Sequence, residues 1–171
     1  DSLLDHMGRF IAGMYQEDSS SYSSLERDSC WKEYKASMDT NWNIMYRERL
    51  AKMKGWQGST FSPSINDTLR VFYPFSGPDF LHVYYLYPQA TEYVLAALEP
   101  IVEIPLLDTL TLDDRDKFLD SLGNSLRDIF RKSYFITKHM KKDLKQIKGM
   151  IPPLLFFLER SGHELVEMKF I

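Results

Sequence analysis

A chain of 171 residues with 44% hydrophobic content can bury one substantial core, which excludes a disordered or fibrous protein. Its formal net charge of −3 gives no general reason to expect nucleic acid or anionic lipid as a partner. The single cysteine, Cys30, excludes an internal disulfide and a cysteine-rich metal site, and the chain has no apolar run of about 18 residues that would predict a transmembrane segment.

The first third of the chain is predicted to be helical. Apolar residues recur at helical spacing from Ser2 to Tyr15, and a polar stretch, residues 16–24, follows as a loop. Ser23 and Glu26 have the spacing of a capping box, so a second, long helix is predicted from Leu25 to Met53. Its tryptophans suit either the stacking of sugar rings or, as aromatic residues at helical spacing usually do, a hydrophobic core.

The middle of the chain has the pattern of a β-α-β unit. After a loop at residues 55–67, aromatic and β-branched residues predict a strand over 68–75. Residues 80–87 are predicted to form a short helix, with a strand as the alternative, and residues 92–98 form a second strand before Pro100. A strand, helix and strand within about 30 residues predict a crossover connection in a small sheet.

The remaining elements alternate between helix and loop. Thr111 and Asp114 form a second capping-box pattern, which predicts a helix from Leu112 to Lys132 after the loop at residues 101–112. A further helical stretch is predicted at residues 134–148 and a last helix at residues 153–160. Gly162 would close that helix, and residues 163–171 alternate like a third strand.

These elements predict an α/β or α+β fold in a single domain, residues 1–171. A helical part, residues 1–54, precedes a sheet-containing part, residues 68–171. Strands near 68–75, 92–98 and 163–171 are packed by several helices. The strand-like ending leads us to expect that the natural polypeptide is longer and that this chain is truncated at its C-terminus.

The candidate site is the corner formed by residues 76–79. Ser76, Gly77 and Asp79 lie between the end of a predicted strand and the start of a predicted helix, where α/β proteins commonly bind ligands. The same residue types also suit a purely structural turn and helix cap. Tyr73 and the tyrosines that follow the corner predict an aromatic-rich surface beside it.

Catalytic chemistry is the second interpretation of this region. His82 follows Asp79 by three residues, so a helix places imidazole and carboxylate on one face, with Ser76 nearby in the chain. Glu99, at the end of the second predicted strand, is another candidate base or ligand. The Gly-x-Ser-x-Gly spacing of a nucleophile elbow is absent, and no pattern of His, Asp and Glu predicts a metal site or a cofactor.

Three stretches carry a resemblance to a known family. The segment Tyr73 to Pro100 contains the YPFSGPDF corner and a YVLxxLEP strand, Arg131 to Leu144 contains a Thr-x-x-Met motif, and Gly149 to Ile171 completes the likeness. Together they resemble an uncharacterised family of bacterial proteins, several of them from gut Bacteroides-like bacteria. The resemblance implies an exported, lipoprotein-like protein of the periplasm or cell envelope, and it implies no activity.

Two functions therefore remain open. The first is a non-catalytic envelope or periplasmic domain that binds a small molecule, glycan or protein partner through the aromatic surface at the corner. The alternative is a hydrolase-like enzyme that uses Asp79, His82, Ser76 or Glu99. Convergence of these four side chains within hydrogen-bonding reach would favour the enzyme, and their use as caps and turns would favour the binding domain.

Overall fold

A computed structural model of the chain describes residues 2–16, 21–60, 69–75, 79–97, 104, 106–132 and 149–167. Its fold is mixed helix and strand, as predicted. The helices are α1 Ser2–Ile11, α2 Ser29–Met45, α3 Ala51–Thr60, α4 Phe80–Leu86, α5 Leu112–Lys132 and α6 Ile151–Arg160; the strands are β1 Arg70–Phe75 and β2 Glu92–Ala97. A short 3-10 helix, Leu25–Arg27, precedes α2, and a π-helical segment, Tyr46–Leu50, joins α2 to α3.

The predicted start of the long helix is wrong. α2 begins at Ser29, where the Asp28 carboxylate accepts a hydrogen bond from the Cys30 amide at 3.0 Å and caps the helix. Glu26 does not form a capping box with Ser23, because its buried carboxylate accepts the Gln16 amide at 2.7 Å instead. The helical run continues through residue 60 rather than ending at Met53, so residues 55–60 of the predicted loop are helical.

The hydrophobic core lies between α1, α2, α5 and α6. The buried faces of α2 and α5 follow the predicted helical spacing, and α1 and α6 supply mostly aromatic and aliphatic partners. Each large apolar side chain buried here contributes roughly 1.5–3 kcal/mol. The most deeply buried members are Phe10, Ile11, Trp31, Met38, Leu119, Leu122, Leu126, Phe156 and Phe157.

Side chains of α2 and α6 bind the carbonyl groups at the end of α1. The Trp31 indole donates to the Phe10 carbonyl at 3.2 Å, and the Tyr34 hydroxyl donates to the Ile11 carbonyl at 2.6 Å. Arg160 donates from Nε to the Ala12 carbonyl at 2.7 Å and pairs with Asp39 at 2.7 Å. α1 ends at Ile11, earlier than predicted, because Gly13 adopts a left-handed conformation with φ of +65°, and these side chains bind carbonyls at the helix end.

The β-α-β prediction is confirmed. β1 and β2 pair in parallel, with Arg70 opposite Glu92 and Phe75 opposite Ala97, and α4 connects them. The short segment between the strands is therefore a helix, as predicted, and not the alternative strand. One face of the pair is exposed, with Phe72 at 68% exposure and an Arg70–Glu92 ion pair at 2.5 Å.

The C-terminal elements agree with prediction in part. The Thr111 hydroxyl accepts the Asp114 amide at 3.2 Å, which is one of the two bonds of a capping box, and it also donates to the Asp114 carboxylate. α5 has the predicted bounds. Gly162, with φ of +84°, ends α6 through hydrogen bonds from residues 162 and 163 back to the last turn. The helix predicted at residues 134–148 lies outside the described residues.

The predicted third strand is not present in its described part. Residues 163–167 have no strand assignment, and residues 168–171 lie outside the described residues. The Leu165 amide donates to the Asp5 carboxylate of α1 at 3.2 Å, so a side chain takes the bond that a strand ladder would use. The described pairing is a two-stranded sheet of β1 and β2.

Candidate functional site

The structure describes three of the six predicted site residues. Tyr73 lies on β1, Asp79 lies immediately before α4, and His82 lies in the first turn of that helix. The predictions that fall on Ser76, Gly77 and Glu99 lie outside the described residues. The geometry of the site is therefore built from Tyr73, Asp79, His82 and the side chains that pack against them.

Asp79 and His82 share one face of α4, as the spacing predicts. The imidazole Nδ1 lies 3.8 Å from the Asp79 carboxylate, and both side chains are partly exposed. This distance permits a charge interaction but exceeds a hydrogen bond, so Asp79 does not orient the imidazole as the aspartate of a catalytic triad does. The predicted cap by the Asp79 side chain is wrong, because only its backbone carbonyl bonds to the first turn, at 3.0 Å to the His82 amide.

Tyr73 lies close enough to Asp79 to be affected by its charge. Burial, and then the negative charge of Asp79, raise the pKa of the Tyr73 phenol above its usual range. The phenol is therefore protonated at neutral pH and is a hydrogen-bond donor beside an ionised acceptor. The sheet and α4 bring together two predicted site residues from opposite sides of the corner.

An aromatic cluster of Phe80, Tyr84, Tyr93 and His163 adjoins these residues. The His163 ring centroid lies 5.0 Å from that of Phe80 and 4.6 Å from that of Tyr84, both in edge-to-face geometry. Tyr93 of β2 contacts Phe80 and Tyr84 at 5.8 and 6.2 Å. The predicted tyrosine surface is therefore partly a packing junction between α4, β2 and the segment after α6, with half-buried tyrosines at its margin.

His163 is a member of this region that the sequence interpretation missed. Its Nδ1 lies 2.9 Å from the Ser161 hydroxyl, and burial lowers the pKa of its imidazole, which favours the neutral form. The same hydroxyl bonds to the Phe157 and Leu158 carbonyls at 2.7 and 3.0 Å. The Ser161 hydroxyl therefore binds carbonyl groups at the end of α6 rather than acting as a nucleophile. The contact of His163 with α4 is visible only in the folded structure.

A second candidate location is a cleft of about 250 Å³ between α2 and α5. Apolar residues form part of its lining, and Gly123 of α5 leaves space beside Tyr34 and Met38. Burial and a hydrogen bond to Asp116 raise the pKa of the Cys30 thiol to about 12, so the thiol stays protonated and is a poor nucleophile. The residues that line the cleft are Cys30, Glu33, Tyr34, Ser37, Met38, Leu119, Asp120, Gly123 and Arg127.

Metal binding and membrane spanning have no support in the described part of the chain. Among residues 2–16, 21–60, 69–75, 79–97, 104, 106–132 and 149–167, no group of three or more His, Cys, Asp or Glu side chains is placed to hold a metal ion. Within the same residues, no helix combines the length and the apolar character needed to cross a bilayer.

Comparison with protein families, with curated proteins and with solved structures gave no match for this chain. The resemblance to an exported bacterial family therefore rests on its sequence motifs alone. The function must be argued from the geometry of the site.

Proposed function

We propose that this protein is a non-catalytic binding domain of the bacterial envelope or periplasm that holds a glycan on the surface formed by Tyr73, Asp79, His82 and the adjoining aromatic cluster. The single observation that supports it most is that the Tyr73 phenol lies close enough to Asp79 to be affected by its charge, beside exposed margins of aromatic rings. A small molecule or a protein partner is the competing occupant.

The chemistry of these groups suits a neutral, polyhydroxylated ligand. Aromatic faces pack against the C–H faces of sugar rings, a phenol donates hydrogen bonds, and a carboxylate accepts them from sugar hydroxyl groups. Tyr73, Asp79 and His82 provide donors and acceptors within one short stretch of surface, and Asp79 and His82 are 25% and 31% exposed. Each such hydrogen bond contributes roughly 0.5–1.5 kcal/mol, and more when one partner is charged.

The hydrolase alternative has weaker support. It requires an oriented base, and the 3.8 Å separation of His82 from Asp79 is longer than a hydrogen bond. The Ser161–His163 pair does not replace it, because Ser161 is bonded to two carbonyls of its own helix. Among the described residues, which do not include Ser76 and Glu99, both observations favour a binding surface over a nucleophilic site.

Titration of the protein with malto- and chito-oligosaccharides, followed by isothermal calorimetry and two-dimensional NMR, tests the proposal. We expect Tyr73→Phe and Asp79→Asn each to weaken binding by about 3- to 10-fold, since each removes one hydrogen-bonding function. Tyr15→Phe is the matched control, because Tyr15 is a 58% exposed tyrosine of the helical part and should leave affinity unchanged.

Three results would contradict the proposal. Binding that is insensitive to both Tyr73→Phe and Asp79→Asn would place the ligand elsewhere, and absence of binding to every sugar would exclude the glycan assignment. Turnover of an ester or glycoside that is lost in His82→Ala would establish the hydrolase alternative. The envelope location, which comes from the family resemblance, is tested separately by fractionating cells that express the natural protein.

A further inference from the structure

Glu159 is a charged residue type buried in the core. It lies on α6 with 4% exposure, and its Oε1 has no hydrogen-bond partner among the described residues. Its carboxyl group occupies the space beside Gly8 of α1, where an added Cβ would lie 2.7 Å from Oε1. The missing side chain at Gly8 therefore makes room for the carboxyl group between the two helices.

Asp5 of α1 is the acidic residue that acts most strongly on Glu159, and the two carboxyl groups interact by charge and by a side-chain hydrogen bond. Asp5 lies three residues before Gly8 on the same helix, and its Oδ1 accepts the Leu165 amide at 3.2 Å. One carboxyl–carboxyl contact thus joins α6, α1 and the segment of residues 163–167. Because the Leu165 amide bonds to Asp5, any change in this contact also affects the backbone after α6.

The other charged groups that act on Glu159 lie on α1 and on the segment after α6. Arg9 of α1 favours the ionised carboxyl group, whereas Glu164, which follows α6, opposes it. Helices α2, α4 and α5 also pack against α6. The ring contacts of α5 and α2 with α6 are apolar: Phe130 lies 5.9 and 6.2 Å from Phe156 and Phe157, and Trp42 lies 6.3 and 6.4 Å from the same rings. The charged contact of α2 with α6 is the pair of Asp39 with Arg160. The balance at Glu159 is therefore set by burial and Asp5 against Arg9.

Two carboxyl groups in contact in a buried site do not both ionise readily. Burial, followed by the charge of Asp5, raises the pKa of Glu159 to about 8. A protonated Glu159 donates its proton in a hydrogen bond to the ionised Asp5, whereas an ionised Glu159 leaves two negative charges side by side. The contact is attractive in one protonation state and repulsive in the other.

We propose that a single proton held between Glu159 and Asp5 latches α1 and residues 163–167 onto α6, and that loss of this proton loosens α1. The device makes the docking of an amino-terminal helix sensitive to mildly alkaline conditions. The latched segment includes His163 of the aromatic cluster, but the latch is tested without a ligand, so its failure leaves the proposed function untouched.

The direction in which stability changes with pH follows from the raised pKa of Glu159. The folded protein holds the Glu159 proton more tightly than the unfolded chain, in which the carboxyl group has its ordinary value of 4.5. The stabilising effect is complete below that value and is lost progressively as the pH rises from about 4.5 to about 8, where it levels off. One proton changes the folding or docking equilibrium by at most about tenfold per pH unit.

The indole N–H of Trp31 reports docking directly, because it donates to the Phe10 carbonyl near the end of α1. We expect its NMR resonance to shift with pH around a midpoint near 8 in the natural chain and to stay unchanged in Glu159→Gln, which cannot ionise. Urea unfolding at pH 6 and pH 8.5 should show at least a tenfold larger rise in the unfolding constant for the natural chain than for this variant. Glu33→Gln, at an exposed glutamate of α2, should behave like the natural chain.

Equal pH dependence in the natural chain and Glu159→Gln would overturn the latch. If Glu159→Gln does not fold, the carboxyl carbon of Glu159 can be titrated by ¹³C NMR in the natural chain. A midpoint near 8 supports the latch, and a midpoint near 4.5 overturns it.

Discussion

The helical core of α1, α2, α5 and α6 buries its aromatic side chains, whereas the β1-α4-β2 unit leaves many of its own partly exposed. Phe10 and Phe156 have 0% exposure, while Phe72 on β1 has 68%. A pair of parallel strands is too small to bury both of its faces, unlike the larger parallel sheets of α/β proteins. Aromatic residues thus stabilise the first region and offer contact surface in the second.

The largest expected contrast is between two phenylalanines. Phe156→Ala removes a ring that contacts Trp42, Phe130 and Phe157, and should lower the free energy of unfolding by about 3–5 kcal/mol. Phe72→Ala should change it by less than about 0.5 kcal/mol, because most of that ring is already in water. Urea unfolding monitored by circular dichroism measures both, and similar losses would remove the distinction between the regions.

Two glycines in core helices should respond in opposite directions when each is replaced by alanine. Gly123→Ala should stabilise the protein by about 0.5–1 kcal/mol, because alanine favours the helix and its Cβ would meet Tyr34 at an ordinary 3.5 Å. Gly8→Ala should instead cost about 1 kcal/mol net, because its Cβ would displace the Glu159 carboxyl group. Melting temperatures of the two variants should move in opposite directions, and a gain in both would mean that Glu159 is not confined beside α1.

The smallest expected difference within a pair of variants is between two helix starts. Thr111→Ala should destabilise the protein by about 1 kcal/mol, because the Thr111 hydroxyl accepts the Asp114 amide at the start of α5. Asp79→Ala should cost less than about 0.5 kcal/mol, since the Asp79 side chain makes no capping hydrogen bond to α4. Equal losses in thermal unfolding would show that Asp79 does cap α4, as the sequence pattern had suggested.

Periodicity and local capping rules predicted the bounds of α5 and the end of α6. The bounds of α5 were predicted from the Thr111 capping box and its apolar spacing, and Gly162 was identified as the end of α6. The start of α2 was mispredicted because Ser23 and Glu26 also have capping-box spacing, while the Glu26 carboxylate bonds to Gln16. A local pattern cannot show that a distant backbone group competes for the same side chain.

The candidate site was predictable only where its residues are neighbours in the chain. The spacing of Asp79 and His82 predicted their common face on α4, but not a separation of 3.8 Å. His163 joins Phe80 and Tyr84 from the other end of the sheet-containing part, and no sequence pattern links these positions. The cleft beside Gly123 likewise depends on how α2 and α5 pack.

From its sequence alone, this chain determined the approximate positions of the described helices, which two strands flank α4, and which helix faces are apolar, because hydrogen bonding and hydrophobic spacing act over a few residues. Tertiary structure decided the partners of each polar side chain: Glu26 with Gln16, Leu165 with Asp5, and Glu159 in the space beside Gly8. Burial and the approach of distant charges set these interactions, and both depend on how remote segments pack together.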